Sequence, residues 1–337
     1  MPLFTHSEPP KNAQRFTGKK SKYLKSWKQK FHDHTGQKRN GFQLVFLLQG
    51  SVISTVAPWV VFFSGYSLFI TLLKDWIKYI SFPQLDNSGG ITHIIVSFNL
   101  LLSLLLIFRT NAAYERYWEG RKLWGSLVNT VRNLARGILI TIEDHSTSNK
   151  VAKEANMRLT VAFAVALKLH LRRESISQEL MPLMCSSNYS KLKNVEHPPL
   201  KIACWIADYL QEQYRHDLVN LYQLNTLCKL VDDLVDVLGG CERILKTPTP
   251  LIYSIFLKQI LVIYCLILPL ELVIHLGWWT AFAMAFFSLI LFGIEEIASE
   301  LENPFRNEPN NLPLDLICNT MYRNVEELVN SNDNCNR

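Results

Sequence analysis

The groups that could do chemistry in this 337-residue chain are few and scattered. Carboxylates crowd one stretch: Glu295, Glu296, Glu300 and Glu302, followed by Asn303 and Pro304. Oxygen ligands at that density suit calcium, which takes several oxygens, usually with carboxylates close together. Asp232, Asp233 and Asp236 invite a metal reading too. No histidine or further carboxylate is spaced to complete that set, so a solvated helix face accounts for it better. His93, Glu271 and His275 lie within or beside apolar runs, where ionisable groups would be the acid–base machinery of a membrane-bound enzyme or coupled transporter. Against that class, there is no nucleophile–base pair, no Gly-x-Ser-x-Gly, no phosphate loop and no inverted repeat. The seven cysteines, Cys185, Cys204, Cys228, Cys241, Cys265, Cys318 and Cys335, form no Cys-x-x-Cys pair. Their odd number points to free thiols, not a disulfide framework.

The elements that would carry these groups are mostly apolar. The chain is 48% hydrophobic and 19% charged, and the hydrophobicity is segregated. Residues 57–73, 91–108, 251–274 and 278–294 are apolar runs near the length of a bilayer span. Four such runs are hard to bury as core helices of a soluble protein of this size, so four transmembrane helices are expected. Lys258, Gln259 and Glu271 interrupt the third run and His93 the second, and polar groups at that depth must face protein or water.

Basic residues give the orientation. The segment KNAQRFTGKKSKYLKSWKQK is rich in lysine, whereas 74–90 carries only Lys74 and Lys78 and 275–277 has no Lys or Arg. The second run is followed by Arg109, Arg116, Arg121 and Lys122. This pattern places the N-terminus, the long middle region and the C-terminus on the cytoplasmic side. The net charge of +6 is therefore a topology signal, and no nucleic-acid partner is expected. The basic N-terminus lacks the apolar run and small-residue cleavage site of a secretory signal, and it suits a surface of anionic headgroups. Without a transit peptide, the expected location is a bacterial inner or a thylakoid membrane.

The expected organisation is all-α. It comprises a basic cytoplasmic segment over 1–43, two spans over 44–108, a cytosolic helical region over 109–250, two more spans over 251–294 and a cytosolic segment over 295–337. In 117–140 the residues Leu123, Leu127, Val131, Leu134 and Ile138 recur at three and four, a helical period. Residues 155–172 repeat that pattern, 174–199 read as a short helix and a loop, and 201–238 are again helical. Gly239-Gly240 then reads as a stop and Pro248 and Pro250 as a boundary. Residues 99–125, NLLLSLLLIFRTNAAYERYWEGRKLWG, are oily in their first half and charged and aromatic in their second. With no breaker before Gly120, they read as one helix leaving the membrane for water, with Tyr114, Tyr117 and Trp118 at the aromatic belt.

The string FRTNAAYERYWEGRKLWG resembles the signature of the bestrophin family, particularly its prokaryotic and plastid members. GGCERILKTPTPLIY (239–253), IASELENPF (297–305), NNLPLDLICNTMYRN (310–324) and Gly50-Ser51-Val52-Ile53 share the resemblance, in the family's order. It implies an integral membrane helical channel, a homopentamer with four transmembrane helices per subunit and a helical cytosolic part, passing chloride and other small anions without a cofactor. A cation-permeable channel of the same fold is the alternative, since the implied neck is neutral.

The resemblance places the pore neck at Leu100, Leu104 and Phe108 on the second span, and a cytosolic aperture at Tyr222. Such a neck gates by wetting and dewetting. Arg109, about 100° further round the helix than Phe108, is a candidate for the pore mouth, or alternatively pairs with Glu115, Glu295 or Glu296. In animal members the region after NPF is acidic and clasps calcium. Here Glu300, Asn303 and Glu308 are what remains of that cluster, beside an Arg306 of the wrong charge, so no metal is expected there. The expected partners are four further copies of the chain, small anions and membrane lipids.

Overall fold

The computed structural model describes residues 52–77, 89–143, 147–308 and 310–335; the basic segment 1–43 and the Gly50-Ser51 pair lie outside them. All regular structure among the described residues is helical. The long helices are α1 (Ile53–Ile77), α2 (Gly89–Thr141) and α3 (Thr147–Arg172). After a 3-10 turn at Gln178–Leu183 come α4 (Ser186–Leu192), α5 (Pro198–Arg215) and α6 (Leu221–Lys246). Then follow α7 (Leu251–Leu276), a 3-10 turn at Gly277–Trp279, α8 (Thr280–Glu302) and α9 (Leu314–Cys335).

Three stretches are long and apolar enough to cross a membrane: Ile53–Trp76, Val96–Thr141 and Leu251–Glu302. The third is folded in two. Gly277 takes φ +52°, a left-handed backbone that a side chain at this position would strain, and the chain reverses there. Lys258 near the start of α7 reaches Glu295 near the end of α8 at 3.4 Å, so the two run antiparallel. The same logic orders the others. Lys74 at the end of α1 donates to the Val273 carbonyl near the end of α7 (2.7 Å). Trp59 and Phe63 of α1 stack on Phe292 of α8. Tyr264 of α7 bonds Asn99 of α2, and Tyr253 bonds the Leu105 carbonyl. Thus α1 runs parallel to α7, and α2 parallel to α8 and antiparallel to both.

Two cores result. Val56, Phe63, Leu102, Leu106, Leu261, Leu268, Met284 and Phe292 make the one shared by α1, the first half of α2, α7 and α8. The other surrounds α3, which is buried almost continuously from Met157 to Leu171 among α2, α5, α6 and α9. The single helix α2 joins them. Its 53 residues span about 80 Å at 1.5 Å per residue, without a break at the change from apolar to polar sequence. One stripe of it is buried throughout: Leu102, Leu106, Arg109, Ala113, Trp124, Leu127, Val131, Leu134 and Ile138.

Two local expectations are corrected. Gly239-Gly240 do not stop α6, which runs on to Lys246. Gly240 sits where a Cβ would come within 2.9 Å of Leu123, so the missing side chain serves close packing of α6 on α2. The helix expected over 201–238 is two helices. α5 ends at Arg215, Asp217 takes φ +58°, and Asn220 opens α6 with a reciprocal capping box to Gln223.

The ends of three helices, α6, α7 and α8, are held at one junction against the middle of α2. Arg109 is 2% exposed and donates to Glu302 Oε2 (2.6 Å) and Thr249 Oγ1 (2.9 Å). Glu302 also accepts from the Thr249 hydroxyl and backbone N–H. About two turns along α2, Arg116 donates to the carbonyls of Ile244, Thr247 and Glu302. Those are C-terminal carbonyls of α6 and α8, which have no partner inside their own helices. The pore-mouth expectation for Arg109 is thereby corrected: it shares the stripe of Leu102 and Leu106, and its charge is spent on Glu302, not on Glu115, Glu295 or Glu296. A second charged group ties α9 to α3. Asp315 accepts from Lys168 (2.8 Å) and Arg172 (3.0 Å), and Lys168 also reaches Glu179 at 2.6 Å. Burial pushes the Asp315 carboxyl up, but the Lys168 and Arg172 charges outweigh it and hold it below the usual range.

Two outcomes are expected. Arg109→Met should cost about 3–5 kcal/mol, the usual result of stripping one partner from a buried pair, and adding Glu302→Gln should recover part of it. Thermal unfolding in detergent measures both, and an unchanged midpoint in the single variant would show the pair to be idle. Asp315 has a depressed folded pKa, so its contribution is present above the unfolded value and is lost as pH falls through the folded one. Asp315→Asn should lower stability at pH 7 by about 1–2 kcal/mol, a modest figure because the carboxylate is 42% exposed. It should also flatten the loss of stability below about pH 4. An unaltered acid limb would refute the assignment.

Candidate functional site

The buried stripe of α2 leaves the opposite side of the helix uncovered. At about 100° per residue, Leu100, Leu104 and Phe108 centre on a line about 170° from the stripe of Leu102, Leu106, Arg109 and Ala113. They are 71%, 49% and 58% exposed, so among the described residues nothing covers these three large apolar side chains. Leu101 and Ile107 flank them, also exposed. An exposed apolar line this long on a protein side chain demands lipid, a partner or a dry lumen to face. Further along α2, Tyr114 and Trp118 stack with their rings 6.5 Å apart, and Lys122 lies 6.0 Å over the Trp118 ring.

Tyr222 stands in the first turn of α6 and is 85% exposed. The capping box of Asn220 and Gln223 fixes that turn, and Val219 is buried just before it. Beside it is a cavity of about 610 Å³ lined by Arg136, Asn220, Tyr222, Gln223 and Lys229 among others. The sequence-identified residues thus fall into two exposed places, Leu100, Leu104 and Phe108 on α2 and Tyr222 on α6, while Arg109 belongs to neither.

The acidic candidates have other partners. Glu300 accepts from the Asn310 amide at 2.6 Å, Glu308 faces Arg306 at 3.6 Å, and Asn303 caps the end of α8. Glu271 and His275 are one turn apart at the end of α7, 3.8 Å from each other, and the His93 side chain lies outside the described residues. The described cysteines, Cys185, Cys204, Cys228, Cys241, Cys265 and Cys318, are free. Burial pushes the Cys241 and Cys318 thiols up to about 12, which makes them poor nucleophiles.

One group has no counterpart among the sequence motifs. His170, at the end of α3, and His197, just before α5, both place Nε2 2.7 Å from the same oxygen of Glu242 on α6. Lys246 holds the other carboxylate oxygen at 2.7 Å. Burial raises the Glu242 carboxyl, but its bonds to Lys246, His170 and His197 prevail and bring it down to about 2. The residues are 27 and 45 positions apart (170 to 197, 197 to 242), so no spacing signal connects them.

Comparison with known proteins agrees with this architecture. A solved bacterial bestrophin homolog from Klebsiella pneumoniae superposes with a TM-score of 0.73, at 25% identity over 80% of this chain and 97% of that one. The chain is 49% identical over 300 residues to a voltage-dependent anion channel-forming protein of Nostoc sp., covering 89% of this chain and 95% of the relative. A protein of the same description from Synechocystis sp. is 48% identical over 83% of this chain and 89% of its own length. The family model for bacterial and fungal bestrophin proteins matches residues 33–327, which take in α1 through most of α9 with the Arg109–Glu302 junction, and the chain belongs to that family.

Proposed function

We propose that this chain is one subunit of a homopentameric channel that passes chloride and other small monovalent anions. The observation that carries the proposal is the exposed apolar line of Leu100, Leu104 and Phe108, directly opposite the stripe by which α2 is fixed to its own chain. Five copies around an axis would turn that line into three stacked apolar rings, and cyclic closure satisfies every interface. The names of the cyanobacterial relatives, anion channel-forming proteins, support the same reading. α1, the first half of α2, α7 and α8 are then the four spans. Tyr114 and Trp118 stand at the inner interface, both termini are cytoplasmic, and the host is a bacterial inner or thylakoid membrane whose lipids cover the outer faces.

In this reading the rings gate by dewetting: a narrow apolar passage empties of water until a small widening refills it. Ions that shed water cheaply cross more readily, which favours large weakly hydrated anions over small cations. Tyr222 forms a second constriction where the cytosolic vestibule ends. A cation-permeable channel of the same fold is the second reading. The burial of Arg109 against Glu302 favours it, because the one cation adjoining the neck is withdrawn from the lumen.

Purified protein in detergent should have a native mass of about 195 kDa plus lipid, five times the 38.9 kDa chain. A conducting monomer or dimer would end the pentamer proposal. In planar bilayers under a salt gradient, the reversal potential should lie on the chloride side; a potential on the cation side selects the second reading. Replacing Leu100, Leu104 and Phe108 together by alanine should raise conductance or open probability severalfold while shifting charge selectivity less. Wild-type currents from a well-folded triple variant would place these side chains away from the pore.

A further inference from the structure

We propose that His170, His197 and Glu242 form a binding site for a divalent transition-metal ion of the zinc class, one that fastens α3, α5 and α6 to each other. Among the described residues this is the one group of three or more His, Cys, Asp or Glu side chains whose ligand atoms all lie within 4.8 Å of one another. Two imidazole nitrogens and a carboxylate oxygen are a donor set for zinc, with water in the fourth position. Nitrogen donors and a single carboxylate do not suit calcium or magnesium, which call for oxygen cages.

The geometry needs little change to accept the ion. The ring centroids are 4.6 Å apart with a 37° tilt, and both Nε2 atoms already converge on Glu242 Oε1. Ligands on tetrahedral bonds of about 2.0–2.1 Å lie about 3.3 Å apart, so each ring must withdraw by roughly 0.6 Å from its present 2.7 Å. His197 precedes the first turn of α5 and makes no capping bond, so a shift of its ring gives up no helix cap. Lys246 on the other carboxylate oxygen is the outer partner that keeps Oε1 aimed at the histidines. A cavity of about 540 Å³, lined by His170, Arg173, Glu174, Lys193 and Glu196, opens beside the group and admits a hydrated ion.

Ligation uses the lone pair of Nε2, so a ring that donates from Nε2 carries its hydrogen on Nδ1 once the metal replaces that hydrogen bond. His197 Nδ1 is buried without a protein partner. The exchange there is of one unpaired lone pair for one unpaired N–H, and it does not favour either form. The competing account is a hydrogen-bonded cluster that binds no metal.

The test uses full-length protein in detergent, stripped with a chelator and titrated with zinc alone, then with cobalt. His197→Gln and Glu242→Gln are the variants, since both keep size and hydrogen bonding. The parent should take up one more zinc per chain than either variant, and its unfolding midpoint should rise with zinc while theirs does not. Cobalt should give the intense visible bands of a tetrahedral site in the parent alone. Equal zinc uptake by parent and variants, or cobalt spectra that do not differ, overturns the proposal. Circular dichroism checks folding, and should one variant fail to fold, the other carries the comparison.

Discussion

A buried guanidinium is tolerable only where its charge is met, and the architecture of this chain turns on that requirement. Arg109 sits in the middle of an otherwise apolar stripe and must find an anion within reach of a side chain fixed by helix geometry. Glu302 supplies it from the last turn of α8, and Thr249, just ahead of α7, completes the contacts. Three elements distant in sequence are thus pinned at one point. Arg116 extends the pin by taking up carbonyls at the ends of α6 and α8, so one face of α2 collects the helix ends on which both cores depend. Asp315, in the first turn of α9, extends the same kind of tie to α3 through Lys168 and Arg172.

Four of the five strings that carry the family resemblance supply these ties. FRTNAAYERYWEG supplies Arg109 and Arg116; GGCERILKTPTP supplies Gly240, the carbonyls of Ile244 and Thr247, and Thr249; IASELENPF supplies Glu302. NNLPLD supplies Asp315. The first three strings are far apart in sequence because each brings one part of the Arg109–Glu302 junction, and the fourth brings Asp315 to the second charged group on α3.

The continuity of α2 was legible because it depends on local facts: an apolar run, a helical period beyond it and no proline between. Leu100, Leu104 and Phe108 come from the resemblance alone, and their exposure is shared with Leu101 and Ile107. Sequence alone leaves Arg109 between the pore mouth and an acidic partner although its angular position is known. The missing fact was that Leu102 and Leu106 define the inward side, which nothing in a run apolar on every face reveals. Gly239-Gly240 was read as a stop because glycine ends helices more often than it packs them, and only the approach of Leu123 decides between the two. The break at Asp217 has no proline or glycine to mark it. The junction of His170, His197 and Glu242 lay beyond reach, since its members share no motif and meet only when three helices pack.

An uninterrupted rod of about 80 Å has a mechanical consequence. Without proline, α2 lacks the commonest cause of a sharp kink, so the residues beside Trp124 and Leu127 are joined to Leu100 and Leu104 by one continuous hydrogen-bonded helix. The stiff shaft turns or tilts as a whole, with the Arg109–Glu302 junction as its bearing. Because successive residues are about 100° apart, Leu101 and Ile107 each stand about 60° from Leu104, one on either side, so a roll of that size would be needed to bring one of them forward in its place. The polar end and the oily end thus share one backbone, and their relative angular positions are fixed by helix geometry alone.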